Sequence, residues 1–70
     1  MFNTDQLQAI ADQPALWVNV DGMSNILRAA LVRAAQISAE GRTPHMLRGP
    51  DDVEVDHAQL LELWKRLGIV

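Results

Sequence analysis

The chain has 70 residues, a net charge of −3 and no cysteine, and 49% of its residues are hydrophobic. This length fits a single domain spanning residues 1–70, the hydrophobic content favours a folded core over disorder, and the lack of cysteine excludes disulfides and thiolate chemistry. Because a core this small is often marginal by itself, we expect added stability from good helix packing or from a homo-oligomer, most simply a homodimer.

The sequence offers no targeting or membrane signal. Its first residues, MFNTDQLQ, lack a basic region followed by an apolar run, and no stretch of the chain is long and apolar enough to span a membrane. We therefore expect a cytoplasmic protein without a membrane contact.

A first helix is predicted close to the N-terminus. Asn3 and Thr4 are both suitable N-cap residues for it. Its apolar side would consist of Leu7, Ile10 and Ala11. We expect this helix to end near Gln13, because Pro14 disfavours helical backbone in the residue before it.

Residues 16–20 alternate in side-chain character and are rich in β-formers, which predicts a short strand followed by a turn at Asp21-Gly22. In such a strand Trp17 faces away from the three aliphatic residues around it. It is then either a core residue or an exposed interface anchor. The alternative is that this segment continues the first helix after a proline kink.

The longest helical pattern runs over residues 24–40. Its broad apolar half consists of Met23, Ile26, Leu27, Ala30, Leu31, Ala34, Ala35 and Ile37. An apolar arc this wide predicts a helix that is contacted from two sides. Asp21 and Ser24 are the expected N-caps, and Gly41 is placed for the left-handed position after the helix, with Pro44 beyond it.

The last third of the chain predicts a hairpin and a helix. The turn signal 49–52 separates two short segments, and the second of these should point Val53 and Val55 inward and Glu54 outward. A final helix should begin after Asp56 with a capping box. Its apolar stripe is Leu60, Leu63, Trp64 and Leu67, and Trp64 is expected in the core or at a dimer contact.

These elements together predict a small α+β domain in the order α-β-α-β-β-α, with three helices and a short sheet of two or three strands. The alternative is an all-α helical bundle in which the predicted strands are loops. In either case the chain forms one unit.

No constellation of residues commits the chain to a reaction. Asp52, Glu54 and Asp56 have the first three ligand spacings of a calcium loop, but the glycine and the final glutamate of that loop are absent. His45 and His57 lack a metal-ligand spacing, and no cysteine completes a zinc site. We therefore expect no metal, no cofactor and no enzymatic activity.

The charges are distributed unevenly along the chain. Residues 1–21 carry three acids and no base, residues 22–50 carry four arginines and one glutamate, and residues 51–70 carry five acids and two bases. The basic middle either serves an acidic partner or pairs with the acidic ends. Within it, Val32 is an apolar residue with arginines around it, which indicates either a singly exposed valine or the centre of a small contact patch. The predicted contact set is Arg28, Val32, Arg33, Gln36, Arg42 and Arg48.

The leading hypothesis is therefore a small non-enzymatic protein-interaction module. It would act as a regulator or inhibitor by docking on a larger protein and covering part of its surface. Compact phage-encoded and bacterial accessory proteins have this general composition.

A second hypothesis comes from a spaced pattern in the second half of the chain. The pattern consists of Glu40-Gly41-Arg42-x-Pro44, Gly49, Val53-x-Val55-Asp56 and the leucine–tryptophan helix from Leu60 to Leu67. It resembles the C-terminal half of excisionase-like and MerR-like winged-helix DNA-binding modules. The resemblance implies that the central helix lies in a major groove. It further implies that Arg33 and Gln36 face bases, and that Arg28, Arg42 and Arg48 face phosphates.

Overall fold

The computed structural model describes residues 2–70 and has an α+β fold. In chain order its elements are α1 (Thr4–Ala9), β1 (Trp17–Asn19), β2 (Gly22–Ser24), α2 (Leu27–Ala39), β3 (Leu47–Arg48), a 3-10 turn (Pro50–Asp52), β4 (Glu54–Val55) and α3 (His57–Arg66). The predicted fold class is confirmed. The sheet has four strands rather than two or three, and the all-α alternative is wrong. None of the helices in the described residues is long and apolar enough to cross a membrane.

The four strands form one antiparallel sheet in the order β2-β1-β3-β4. Its register aligns one residue from each strand in a row across the sheet: Met23, Val18, Arg48 and Glu54. Since successive residues of a strand point to opposite faces, this row lies on one face and its neighbours Trp17, Leu47 and Val55 lie on the other. Those three are buried in the core, so the helices cover only their face of the sheet.

The core is a single cluster that joins that sheet face to all three helices. Its buried members are Leu7, Ala11, Trp17, Leu27, Ala30, Leu31, Ala34, Leu47, Val55, Leu60, Leu63 and Trp64. Trp17 is therefore a core residue and not an exposed interface anchor. Trp64 is also buried, and its indole Nε1 donates a hydrogen bond to the Leu31 carbonyl at 2.9 Å. This bond connects α3 to α2, and it supplies the partner that the buried indole N–H needs.

Trp17 and Gly49 face each other across two strands. Val18 pairs with Arg48, so the antiparallel register places Gly49 opposite Trp17. The indole lies so close to the Gly49 backbone that a Cβ there would be 2.5 Å from two ring carbons. Glycine is therefore required at position 49 for close packing. The indole Nε1 of Trp17 is buried and has no hydrogen-bond partner.

The capping box predicted for α3 is present, and α1 has one as well, with Asn3 rather than Thr4 as its N-cap. The Asn3 side chain accepts from the Gln6 backbone N–H at 2.8 Å, and the Asp56 side chain accepts from the Gln59 backbone N–H at 2.9 Å. The end of α1 was predicted too late, however, because the helix stops at Ala9 rather than near Gln13. Beyond it the Ala11 carbonyl accepts the Arg28 backbone N–H at 2.9 Å, so this segment serves the first turn of α2 instead of extending α1.

The predicted start of α2 is wrong. Ile26 occupies the N-cap position without a side-chain hydrogen bond, and neither Asp21 nor Ser24 caps the helix. The reason is that residues 22–24 pair with β1 as a second strand. Met23 consequently leaves the apolar arc of the helix. The predicted end of α2 is confirmed, since Gly41 follows it with a φ of 84°.

Candidate interaction surfaces

Three members of the predicted contact set, Arg28, Val32 and Gln36, are spaced four residues apart on α2, so they form one line along the helix. Val32 is 39% exposed. Arg33 lies beside this line and donates to the Gln36 side-chain oxygen at 3.3 Å. The structure thus brings these four residues together, and we refer to them as the α2 surface.

The guanidinium of Arg28 is bound by Asp12, in the loop after α1. Its Nε is 2.5 Å from one carboxylate oxygen and its Nη2 is 2.9 Å from the other. These hydrogen bonds hold the pKa of Asp12 below its usual value and raise the pKa of Arg28. Arg28 is therefore paired with a carboxylate of its own chain in the free protein.

Arg33 and Arg42 share the carboxylate of Asp21, which lies at the tip of the β1–β2 hairpin. The Arg33 Nη2 is 2.6 Å from the Asp21 Oδ2, and the Arg42 Nη2 is 2.8 Å from the same atom. Glu40 binds Arg42 as well, at 2.7 Å. The pKa of Asp21 is lowered, chiefly by the hydrogen bonds from Arg42 and then by both positive charges. One carboxylate thus fastens the hairpin tip to α2 and to the loop that follows it.

Arg48 is separated from the rest of the predicted contact set. It lies in β3, and it neighbours the buried Leu47, so its side chain points to the face of the sheet that the helices do not cover. There its Nη2 is 3.0 Å from the Glu54 carboxylate of the adjacent strand. Because α2 packs on the opposite face, Arg48 cannot act in one surface with the α2 residues.

The ion pairs show what the basic middle of the chain contacts within the fold. Among residues 2–70 every arginine is within salt-bridge distance of a carboxylate, and the pairs link the basic middle of the chain largely to its acidic ends. These pairs are exposed and individually weak. They do compensate the positive charge, however, so the arginines of the α2 surface do not form an uncompensated positive patch.

The uncovered face of the sheet carries a second candidate surface, whose apolar residues lie outside the predicted contact set. Four large apolar side chains lie on it or at its strand ends: Met23 is 70% exposed, Leu16 59%, Met46 50% and Val20 40%. Met23 lies in β2 opposite Val18, on the side away from Trp17. Leu16, Val20 and Met46 each lie one residue beyond the end of β1 or β3, and continuing the alternation of those strands by one residue assigns them to the same side. We call this surface the open sheet face and include the half-buried Val18 and the Arg48–Glu54 pair in it.

The alternation of residues 16–20 already contained part of this signal. It separated Trp17 from three aliphatic residues, so burial of the tryptophan forces those residues to the outside. Met23 was missed because it fits the apolar arc of a longer α2. Met46 was missed because a two-residue strand carries too little periodicity to assign a face.

A groove of about 300 Å³ opens between the loop after α2 and the start of α3. His45 and His57 are among its lining residues, and both are exposed. No group of three or more His, Cys, Asp or Glu side chains suited to a metal ion occurs within residues 2–70. The groove therefore supplies two imidazoles and no third ligand for a metal site.

Comparisons with protein-family models, with curated proteins and with solved structures find no match to this chain. Its function must therefore be inferred from the two surfaces themselves.

Proposed function

We propose that this chain is a small non-enzymatic module that docks on a larger protein and acts as a regulator or inhibitor by covering part of its surface. The observation that supports this most is the open sheet face. Four of the seven exposed large hydrophobic side chains in the described chain gather there. A contiguous exposed apolar patch with a polar rim is typical of a protein–protein contact.

The size of the molecule fits docking through a single face. A stable protein–protein contact takes about 800 Å² from each partner. The chain exposes 4265 Å² in total, so such a contact would occupy roughly one fifth of its surface. That fraction is close to one whole side of a molecule with extents of 28 × 23 × 18 Å.

The α2 surface remains a predicted contact region within this proposal. Docking through its arginines would require Arg28 to leave Asp12, or Arg33 to leave Asp21, whereas Val32 is exposed and ready for contact. The open sheet face needs no such rearrangement of its apolar side chains. For this reason we assign the principal contact to the open sheet face, with Arg48 as the member of the predicted set that lies in it.

Two matched variants test the assignment. Met23→Glu places a carboxylate on the open sheet face, and Val32→Glu places the same group on the α2 surface, where Val32 is also exposed and apolar. The purified chain is immobilised, a partner is captured from source cells and identified, and its Kd is measured for the wild type and both variants. We expect Met23→Glu to weaken binding about tenfold or more, because a charge replaces a buried apolar contact.

The outcomes separate the two surfaces. Loss of binding only in Val32→Glu would move the contact to the α2 surface, and undiminished binding in both variants would contradict the assignment of the contact to either surface. Reversing Arg28 and Arg33 to glutamate is a poorer test, since the new carboxylates would face Asp12 and Asp21 and disturb the fold.

The alternative proposal, which follows from the winged-helix resemblance, is that the chain binds DNA through α2. Arg28, Arg33 and Gln36 are exposed or half-buried on α2, as that resemblance requires. Phosphate contact would have to replace the internal carboxylate partners of the arginines, and the net charge of −3 opposes it. Fluorescence anisotropy of a labelled DNA duplex mixed with the purified chain, measured over a range of salt concentrations, tests this alternative. A steep log–log salt slope would favour DNA, and no binding at low salt would exclude it.

A further inference from the structure

Building on the function proposed above, we infer that the open sheet face accepts a segment of a partner protein that presents aliphatic or aromatic side chains beside lysine or arginine. The preference for apolar side chains comes from Leu16, Val20, Met23 and Met46. These residues are exposed on the side of the sheet that the helices do not cover. The preference for basic side chains comes from the charge at the border of the same face.

The uncompensated charge around the face is negative. Among residues 2–70 the carboxylates that contact no cationic side chain are Asp51, Asp52 and Asp56. Asp56 is engaged as the N-cap of α3, where it accepts the Gln59 backbone N–H. Asp51 and Asp52 are exposed and have no such partner, so they supply the negative charge that an incoming segment meets.

The position of these two aspartates places that charge beside the apolar residues. They lie in the turn between β3 and β4, which the Gly49 N–H closes by donating to the Val53 carbonyl at 2.8 Å. With Val53 and Glu54 they line a shallow cleft, and Glu54 lies on the open sheet face in its pair with Arg48. Gly49, just before the turn, packs against Trp17, the chain neighbour of Leu16. A lysine or arginine beside an apolar contact can lay its aliphatic stem on the face and place its charge at the turn.

A second copy of this chain is a poorer occupant. Each copy carries a net charge of −3 and the same acidic turn, so two copies repel each other at long range. Added salt would screen that repulsion and strengthen self-association, whereas it would weaken binding of a basic segment. The sign of the salt dependence therefore distinguishes these two occupants.

A random-peptide phage library panned on the immobilised full chain tests the inference, with selected peptides resynthesised for Kd measurement. Three variants are compared with the wild type. Met23→Glu alters the apolar part, and Asp51→Asn with Asp52→Asn removes the turn charge. Asparagine tolerates the positive φ of 55° and 58° at these positions, so the turn is retained. The control is Glu40→Gln with Glu62→Gln, which removes the same charge while Arg42 and Arg66 keep Asp21 and Asp5.

We expect the selected peptides to combine apolar with basic residues and to bind more weakly as salt rises. Met23→Glu should weaken them about tenfold or more, and the double asparagine variant about two- to tenfold, with little change in the control. Peptides that require Met23 but lack basic residues would overturn the inference and leave the proposed function standing. Selection that is indifferent to Met23→Glu would overturn both. Self-association that strengthens with salt and requires Met23, measured by sedimentation, would assign the face to a second copy.

Discussion

The contact between Trp17 and Gly49 gives the sharpest stability prediction. A Cβ at position 49 would lie 2.5–2.6 Å from three carbons of the indole ring, whereas ordinary carbon contacts are about 3.5–4 Å. The ring and the β3 backbone would have to separate by about 1 Å, and Trp17 is fully buried with the core packed around it. Overpacking of this kind costs about 1–3 kcal/mol, and we expect Gly49→Ala at the upper end.

The effect should be large against the total stability. A domain of this size has a free energy of unfolding of roughly 4–10 kcal/mol, and its urea m value is about 1 kcal/mol/M. Gly49→Ala should therefore lower the urea midpoint by about 2–3 M in equilibrium unfolding followed by far-UV circular dichroism.

Gly68→Ala is the matched control. Gly68 has a φ of 69°, and a Cβ there would have no neighbour within 4 Å, so alanine meets backbone strain of about 1–2 kcal/mol without a clash. A double-mutant cycle with Trp17→Leu isolates the contact. The combined loss should be at least about 1 kcal/mol smaller than the sum of the single losses. Additive losses, or a Gly49→Ala loss no greater than that of Gly68→Ala, would refute the steric explanation.

Two further predictions follow from buried and exposed positions. Trp64→Phe keeps an aromatic ring but removes the hydrogen bond to the Leu31 carbonyl, so it should lower the free energy of unfolding by about 1–3 kcal/mol in the same urea assay. An unchanged value would mean that the bond is dispensable. Met23→Glu should change the free energy of unfolding by less than about 0.5 kcal/mol, because the side chain is 70% exposed. A larger loss would show that Met23 has a structural role.

The features that the sequence predicted are those that local chemistry determines. Asp56 was predicted as a cap and Asn3 was one of two candidates with Thr4, because an N-cap side chain needs only a backbone N–H three residues away. The apolar stripe of α3 repeats every three to four residues and was equally clear. The start of α2 failed because Gly22-Met23-Ser24 has little intrinsic β-propensity and becomes a strand by pairing with β1.

The surfaces depended on contacts that no local pattern reveals. Arg28 pairs with Asp12 across 16 positions, and Arg42 pairs with Asp21 across 21. The sequence showed a basic segment between acidic ends, but only the fold shows that these charges meet. The open sheet face likewise requires knowing that Trp17 points inward and that all the helices pack on its side of the sheet.

The Asp21 carboxylate leads to a pH prediction whose sign follows from the direction of its pKa shift. Hydrogen bonds from Arg42, and the charges of Arg42 and Arg33, lower the pKa of Asp21 in the folded chain. A lowered pKa means that this carboxylate stabilises the fold above its unfolded pKa, near 4, and that the contribution disappears as pH falls through the folded value. Asp21→Asn should therefore be less stable than the wild type at neutral pH, and the difference should shrink below about pH 4. Urea unfolding across that range measures it.

Asp51→Asn is the control for this series, since Asp51 contacts no cationic side chain among the described residues. Hydrogen exchange adds a local measurement, because Asp21 fastens the tip of the β1–β2 hairpin to α2 and to the loop after it. At neutral pH the amides of residues 22–24 should exchange faster in Asp21→Asn than in the wild type, while α3 should keep its protection. A stability difference that persists unchanged at low pH would mean that Asp21 acts through its turn geometry and not through its charge.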